Sequence, residues 1–139
     1  MKKKKIISLL LLIGWMFFIF IMSSYTGNDS SNQSNIVVMF ISRLFNIDNL
    51  SLLSIIIRKT AHVLEFLILS ILFCNVLYLY NINVYFSIIF SFIYAIFDEI
   101  HQLFIIGRTG QALDVIIDSF GILIGFIIYR LIKKKIKHY

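Results

Sequence analysis

The sequence is poor in the residues on which soluble and disulfide-bonded proteins depend. Among its 139 residues there is no proline, one cysteine, and a charged fraction of only 14%. The single cysteine, Cys74, cannot form a disulfide within the chain, and it lies inside an apolar run, so redox chemistry is not indicated. Hydrophobic residues make up 60% of the chain, and the mean hydropathy is +0.92. This composition excludes an ordinary soluble domain and indicates a membrane protein.

Four apolar segments are candidates for membrane-spanning helices. On a window of about 19 residues they cover residues 6–22, 61–80, 84–104 and 113–132. A cleaved signal peptide is the alternative for the first segment, but no A-x-A-like cleavage site follows it. We therefore predict an all-α integral membrane protein with a single domain over residues 1–139, built as a four-transmembrane-helix bundle.

Basic residues are concentrated near the two termini. Nine of the thirteen lie there, namely Lys2, Lys3, Lys4, Lys5, Arg130, Lys133, Lys134, Lys135 and Lys137. By the positive-inside rule both termini are then cytoplasmic, which requires an even number of crossings. The formal net charge of +6 follows from this topology and from attraction to anionic lipid. Membrane lipid is therefore an expected partner, and nucleic acid is not.

Residues 36–57 are apolar but are interrupted before they can make a full span. Arg43, Asn46 and Asp48 break the run, while the apolar residues before Asn46 recur at helical spacing. We predict a short amphipathic helix on the outer interface, with a second short turn over residues 50–57. Two roles stay open for this outer-face segment: packing over the mouth of the bundle, or a lid over a substrate.

The last three apolar segments carry charged residues at the end that this topology places outside. Residues 58–65 begin the second span, residues 98–102 end the third, and residues 114–118 begin the fourth. Within each group the spacing puts polar side chains on one helix face, and these faces should meet because charge facing lipid is costly. We expect one outer cluster of Arg58, Lys59, His62, Glu65, Asp98, Glu99, Gln102, Arg108, Asp114 and Asp118.

The loop before the last span contains glycines on both sides of Arg108. Gly107 and Gly110 are typical of a tight turn whose backbone can approach a ligand. The planar guanidinium of Arg108 suits a carboxylate or a phosphate. It could bind such a ligand, or it could pair with a carboxylate of the neighbouring spans and tie two helices together.

Two further features concern packing. Gly121 and Gly125 form a G-x-x-x-G step, which indicates a close approach of another helix, and we expect this contact inside the bundle rather than in a dimer. His101 lies two residues from Glu99 and so points away from the Glu99 and Gln102 face. We expect it at the interface rather than as a ligand.

Three stretches of the sequence form an ordered set of motifs. They are RKTAHVLEF, DEIHQLFIIGRTGQALDVIIDSFGILIG, and the SSYTGNDSSNQS that follows the first apolar segment. Together they resemble the VanZ-like family of bacterial membrane proteins, named for a protein associated with teicoplanin resistance. The sequence departs from that pattern at Phe66, where the family often has Tyr, and at Ile106, where Pro is common. Neither departure removes an ionisable motif residue.

The resemblance implies a multi-pass protein of the bacterial cytoplasmic membrane, connected with the cell envelope and with glycopeptide (teicoplanin) tolerance. In an enzyme, the candidate catalytic acid–base residues are His62, Glu65, Asp98 and Glu99, with water as the attacking group. The other six residues would bind an envelope precursor, of lipid-phosphate or peptidoglycan-related type, or a glycopeptide-related ligand. They are Arg58, Lys59, Gln102, Arg108, Asp114 and Asp118.

The competing class is a non-catalytic protein, in which the cluster binds an envelope component or forms a polar clasp that fixes helix packing. Metal-assisted chemistry is a weaker alternative, for which the able ligands are His62, Glu65, Glu99, Asp114 and Asp118. No metal or other cofactor is predicted, because neighbouring cations can neutralise the carboxylates. Transport is poorly supported, because the charges stop at one leaflet. We favour a functional binding site over a clasp, since ten polar residues exceed what packing needs. Oligomeric state stays open.

Overall fold

The protein folds into five helices joined by short connections. The computed structural model describes residues 2–25, 27–108 and 110–137, with the backbone alone for 27–34 and 135–137, which leaves the predicted roles of the Lys135 and Lys137 side chains outside the described part. The helices are α1 (Lys2–Ser24), α2 (Gly27–Phe45), α3 (Leu50–Leu79), α4 (Phe86–Gln102) and α5 (Ala112–Lys137). No strand occurs in this described part, so the all-α prediction is confirmed.

Side-chain hydrogen bonds fix the direction of α1 against α3. Trp15 Nε1 donates to the backbone oxygen of Glu65 at 3.0 Å, and Asn75 Nδ2 donates to Ser8 Oγ at 2.9 Å. The start of α1 therefore lies beside the end of α3, and the short connections then reverse α4 and α5 in turn. We call the end where α3 and α5 begin the polar end, and the end where α1 begins the basic end.

Three helices are long and apolar enough to cross a bilayer, by length and composition: Lys2–Ser24, Leu50–Leu79 and Ala112–Lys134. At 1.5 Å per residue, the 17 residues of α4 reach about 26 Å, slightly less than the ~30 Å hydrocarbon core. A membrane-type helical protein is thus confirmed, while the fourth crossing stays a prediction. Large apolar side chains such as Leu10, Phe17 and Ile127 remain more than half exposed on the bundle surface, as lipid-facing residues do.

The predicted outer-face segment is divided differently in the structure. Helix α2 begins at Gly27 rather than near residue 36, and residues 50–57 are the first turns of α3 rather than a separate turn. Asn49 explains the new start of α3, because its side-chain oxygen accepts from the backbone N–H of Leu52 at 3.1 Å. The predicted span began only after the polar residues that start at Arg58, because a hydropathy window excludes them. Polar residues do not interrupt a helix, so α3 continues through them.

Asparagines end two of the helices. Asn46 follows α2 with a left-handed φ of 51°, and the N–H of Ile47 donates back to the oxygen of Ser42 at 3.0 Å. Asn81 adopts the same conformation after α3, with φ of 60°. Asparagine tolerates this region better than most side chains, so both residues terminate their helices with a hydrogen-bonded turn.

The tightest contact in the bundle joins α3 to α5. A Cβ added to Gly121 would collide with the backbone oxygen of Val63, and one added to Gly125 would collide with the backbone oxygen of Leu67. The prediction that the G-x-x-x-G step packs inside the bundle is therefore confirmed. This contact sets the register that brings the start of α5 beside the charged turns of α3.

Candidate functional site

A cleft of about 250 Å³ opens at the polar end, between the starts of α3 and α5, the end of α4 and the loop that follows it. Its lining residues are Ile55, Arg58, Lys59, His62, Gln102, Gly107, Arg108, Gln111 and Asp114. Six of these belong to the ten residues predicted from the sequence. The cleft therefore gathers polar groups from three helices and one loop into a single concave surface.

The other four predicted residues lie deeper in the bundle than the cleft. Asp98, Glu99 and Asp118 are only 2%, 8% and 2% exposed, and Glu65 is largely buried. Each of these carboxylates lies about one helix turn deeper in the bundle than a cleft-lining residue of the same helix. The predicted cluster thus has two layers, with the three fixed cations, His62 and Asp114 along the cleft and the other four carboxylates beneath.

One ion pair crosses the cleft from α3 to α5. Lys59 Nζ pairs with Asp114 Oδ1, and both side chains are about one-third exposed. This contact joins the first turn of α5 to the polar turn of α3, one helix turn above the deeper carboxylate of Asp118. The charge of Lys59 is therefore neutralised within the chain by the Asp114 carboxylate.

His62 lies in the cleft with a carboxylate of its own helix behind it. Its Nδ1 is 3.7 Å from Glu65 Oε2, an i, i+3 pair. That separation is within ion-pair range for a protonated imidazole but too long for a hydrogen bond. The predicted pairing of these two residues is present, with the imidazole at the cleft wall and the carboxylate further inside.

The buried carboxylates are held by amide groups. Asp98 Oδ2 accepts from Gln102 Nε2 at 2.9 Å, an i, i+4 contact on the predicted polar face of α4. Glu99 Oε1 accepts from the backbone N–H of Gln111, just before α5 begins. Asp118 differs, because its Oδ1 is buried and has no hydrogen-bond partner among the residues that the structure describes.

Arg108 binds the end of α1 rather than a carboxylate. Its Nε donates to the backbone oxygen of Tyr25 at 3.0 Å, and one Nη donates to that of Met22 at 3.2 Å. Within the described chain no carboxylate oxygen comes within ion-pair distance of it, so of the two roles left open for Arg108 the pairing with a carboxylate is absent. The cause is that the last carbonyls of a helix lack partners and attract cations.

The surroundings of Arg108 in the cleft also change its pKa. Burial, and then the neighbouring Arg58 charge, lower the pKa of the Arg108 guanidinium from its ordinary value. An arginine remains protonated at neutral pH despite such a shift. Two cations therefore lie near each other in this cleft. Gly107, with a φ of 77°, forms the turn that presents Arg108 to both the cleft and α1.

Helix α1 contributes to the site in a way that the sequence analysis missed. Gln102 Nε2 lies 3.4 Å from Ser23 Oγ, and Ser24 Oγ lies 3.0 Å from His101 Nε2. His101 also stacks on Phe20 with ring centroids 4.4 Å apart, so it packs against α1 away from the cleft. The available signal in α1 was only a pair of serines at the end of an apolar run.

Two cleft residues were also missed, Ile55 and Gln111. Ile55 lies one turn before Arg58 on α3, and it was assigned to a separate outer turn because α3 was predicted to start later. Gln111 acts through its backbone N–H, for which sequence gives little signal. Among the described residues, no group of three or more His, Cys, Asp or Glu side chains is arranged to hold a metal ion.

The fold and the cleft together define a helical membrane-type protein with one polar, cation-lined site at an end of the bundle. The sequence profile of the VanZ/LLP1 family matches residues 8–133, so the chain belongs to this family. The resemblance based on the three motifs is thereby confirmed. No curated protein and no solved structure matches the chain.

Proposed function

We propose that this VanZ-like protein crosses the bacterial cytoplasmic membrane four times, with both termini in the cytoplasm and the polar end outside. The position of the termini supports an even number of crossings. Lys5 lies over the ring of Tyr80, and Lys133 lies over the ring of Tyr78, so the start of α1 and the last part of α5 share the basic end. Positive charge retained on the cytoplasmic side gives the orientation.

In this proposal the cleft binds the anionic group of a cell-envelope molecule, such as a lipid-linked phosphate or a peptidoglycan-related precursor. The observation that carries it is that three fixed cations, Arg58, Lys59 and Arg108, line the cleft together with a single carboxylate, that of Asp114. Among the described residues, neither Arg58 nor Arg108 has a carboxylate within ion-pair distance. Like charges held close together repel each other, and an anion bound between them would relieve that repulsion.

The surroundings of the cleft favour a ligand that also has an apolar part. Ile55 lines the cleft, and Ile106 and Leu113 on either side of the loop are 84% and 64% exposed. Under the proposed topology these side chains lie near the outer leaflet. A lipid-linked phosphate could place its head group in the cleft and its chain along this apolar rim.

Binding of farnesyl phosphate to the purified chain in neutral detergent tests this proposal, with farnesol as the ligand that lacks only the phosphate. Arg58→Gln should weaken farnesyl phosphate binding about tenfold, the loss of one charge-assisted contact, and leave farnesol unchanged. Arg43→Gln on α2 is the matched control, because Arg43 is exposed and lies outside the cleft lining. If both variants weaken farnesyl phosphate binding equally, the effect of Arg58→Gln comes from general surface charge and not from a contact in the cleft.

The physiological part of the proposal is a contribution to glycopeptide tolerance. Cells that express the protein should survive a higher teicoplanin concentration than cells that express Arg58→Gln at equal membrane abundance. Tolerance that is the same with both, or that falls only when abundance and thermal stability fall, would point instead to a non-catalytic polar clasp.

A second candidate function is a membrane-embedded hydrolase or transferase. The observation that favours it is the position of His62 in the cleft wall with Glu65 3.7 Å behind it. In this mechanism the imidazole would accept a proton from a water that attacks the phosphorus of farnesyl phosphate. The phosphorus–oxygen bond to farnesol would break, and the imidazolium would return the proton to the leaving oxygen, so that farnesol and inorganic phosphate are released. Release of inorganic phosphate from farnesyl phosphate, abolished in His62→Gln while binding persists, would establish hydrolysis. Binding without turnover in the natural chain would leave a recognition site.

A further inference from the structure

A second groove lies at the basic end, on the opposite side of the membrane from the cleft. Its volume is about 430 Å³, and it runs between the end of α3, the turn before α4 and the last turns of α5. The lining residues are Tyr78, Val84, Tyr129, Arg130, Leu131, Lys133 and Lys134. The groove thus combines an apolar wall with three basic side chains.

The positive charge at this groove has no acidic partner in the sequence. The seven acidic residues occupy positions 29, 48, 65, 98, 99, 114 and 118, and none of them falls in α5 beyond Asp118 or in the turn before α4. The polar end is different, because Asp114 pairs with Lys59 there. No acidic side chain of the sequence is therefore available as a counter-ion for the basic end.

Aromatic rings hold the basic side chains in place without neutralising them. The Arg130 guanidinium carbon lies 5.2 Å from the ring centroid of Tyr85 and 5.9 Å from that of Phe126. Lys133 Nζ lies 4.3 Å from the ring centroid of Tyr78. A cation over a ring face is oriented by the ring and keeps its full charge. Such a cation retains N–H donors for an oxygen anion.

The tyrosines also indicate the depth of the groove. Tyr78, Tyr80, Tyr85 and Tyr129 surround the basic end, and three of them are 41% to 54% exposed. Tyrosine rings are enriched at the level of the lipid head groups, where one end of the ring is apolar and the other wet. The tyrosines therefore place the groove at the level expected for lipid head groups, and Val84 and Leu131 form the apolar part of its lining.

We propose that this groove is a specific binding site for one anionic phospholipid of the leaflet at the basic end. Arg130, Lys133 and Lys134 contact the phosphate, and the apolar wall contacts the glycerol and upper acyl region. Basic pockets between transmembrane helices are suited to such head groups. This proposal is independent of the function proposed for the cleft, because it rests on different residues at the other end of the bundle.

Lipid titration of the full chain in neutral detergent tests the proposal, with bound lipid counted by native mass spectrometry and the unfolding temperature followed in parallel. The probes are dioleoyl phosphatidylglycerol, dioleoyl phosphatidylcholine and inorganic phosphate. We expect one phosphatidylglycerol to bind saturably and to raise the unfolding temperature. Phosphatidylcholine should bind at least about tenfold more weakly, and inorganic phosphate should give no rise that Lys133→Gln removes.

Variants separate a specific groove from diffuse attraction to a basic surface. Arg130→Gln and Lys133→Gln should each weaken phosphatidylglycerol binding about fivefold. Lys3→Gln, at the same end but outside the groove, and Arg43→Gln on α2 should stay within about twofold of the natural chain. If loss of a ring contact prevents either variant from folding, Lys134→Gln gives the same test, because Lys134 lines the groove and is exposed.

Three results would overturn the proposal. One is equal affinity for phosphatidylglycerol and phosphatidylcholine, and another is equal weakening by Lys3→Gln and the groove variants. The third is a rise in unfolding temperature with inorganic phosphate alone that Lys133→Gln removes, which would describe a site for small anions in the groove rather than a lipid site. If only Arg58→Gln loses phosphatidylglycerol binding, the lipid binds in the cleft, and the proposal that it binds in the groove is wrong.

Discussion

At the polar end Lys59 pairs with Asp114 and Arg108 donates to the carbonyls of α1, whereas at the basic end Arg130 and Lys133 lie over aromatic rings. Five of the seven acidic residues belong to the first end and none to the second. The polar end therefore neutralises part of its positive charge within the chain, at the Lys59–Asp114 pair. The basic end holds charges that only the membrane or a ligand can neutralise.

The difference shows that a cation in this protein can be fixed in place in two ways with different consequences. A carboxylate partner fixes a lysine and cancels its charge, as at Lys59. A ring face or a helix carbonyl fixes a cation and leaves its charge available, as at Lys133 and Arg108. Sites for anions are expected where the second way predominates.

The largest expected effect comes from a variant that breaks the close contact between α3 and α5. Gly121→Leu would force a side chain into the backbone of Val63 and separate α3 from α5, at a cost of about 3 kcal/mol or more in unfolding free energy. Thermal unfolding in detergent and the yield of folded protein measure it. Gly14→Leu on α1 is the control, because nothing lies within 4 Å of its Cβ position. Equal losses in both variants would contradict the close α3–α5 contact.

Arg108→Lys tests whether a fork of two donors attaches α1 to the polar end. A lysine cannot reproduce two N–H donors in one plane, so we expect a loss of about 1–2 kcal/mol in stability. Hydrogen exchange at residues 22–25 should rise in the same variant. Arg58→Lys should change neither quantity. Unchanged exchange at the end of α1 in Arg108→Lys would show that these carbonyl contacts do not hold the helix.

Replacing each of two buried carboxylates by an amide should change the stability in opposite directions. Asp118→Asn should raise stability by about 1 kcal/mol, because a buried carboxylate oxygen without a partner is costly to keep. Asp98→Asn should lower stability by a similar amount, because Asp98 accepts from Gln102. Unfolding temperatures of the two variants give the signs directly. If Asp118→Asn destabilises the chain, its carboxylate has a partner that this account lacks.

The smallest expected effect concerns the Lys59–Asp114 pair. Both side chains are about one-third exposed, so solvent weakens the pair, and a double-mutant cycle with Lys59→Gln and Asp114→Asn should give a coupling of about 0.5 kcal/mol. The coupling should fall further in 1 M salt. A coupling above about 2 kcal/mol would mean that this end is held together chiefly by that one pair.

Much of the polar cluster could be predicted because helical spacing and the cost of charge in lipid leave few arrangements. The pairing of Asp98 with Gln102, the approach of α5 to α3 at Gly121, and the shared end of the charged residues all follow from these rules. The family followed from the order of the motifs.

Other features depend on contacts that the sequence does not display. Hydropathy locates the apolar core of a span but not the end of the helix, which explains why the start of α3 at Leu50 was missed. The partners of Arg108 are backbone oxygens, which every residue has. The role of Gln111 rests on its backbone N–H. Such contacts become visible only when the helices are packed.

The most direct test of the account exchanges ligands between the two ends. Farnesyl phosphate and phosphatidylglycerol are titrated into the natural chain, Arg58→Gln and Lys133→Gln under identical conditions. The account predicts that Arg58→Gln weakens only the farnesyl phosphate and that Lys133→Gln weakens only the phosphatidylglycerol. If each variant weakens both ligands equally, the two ends are not separate anion sites, and the contrast drawn between them fails.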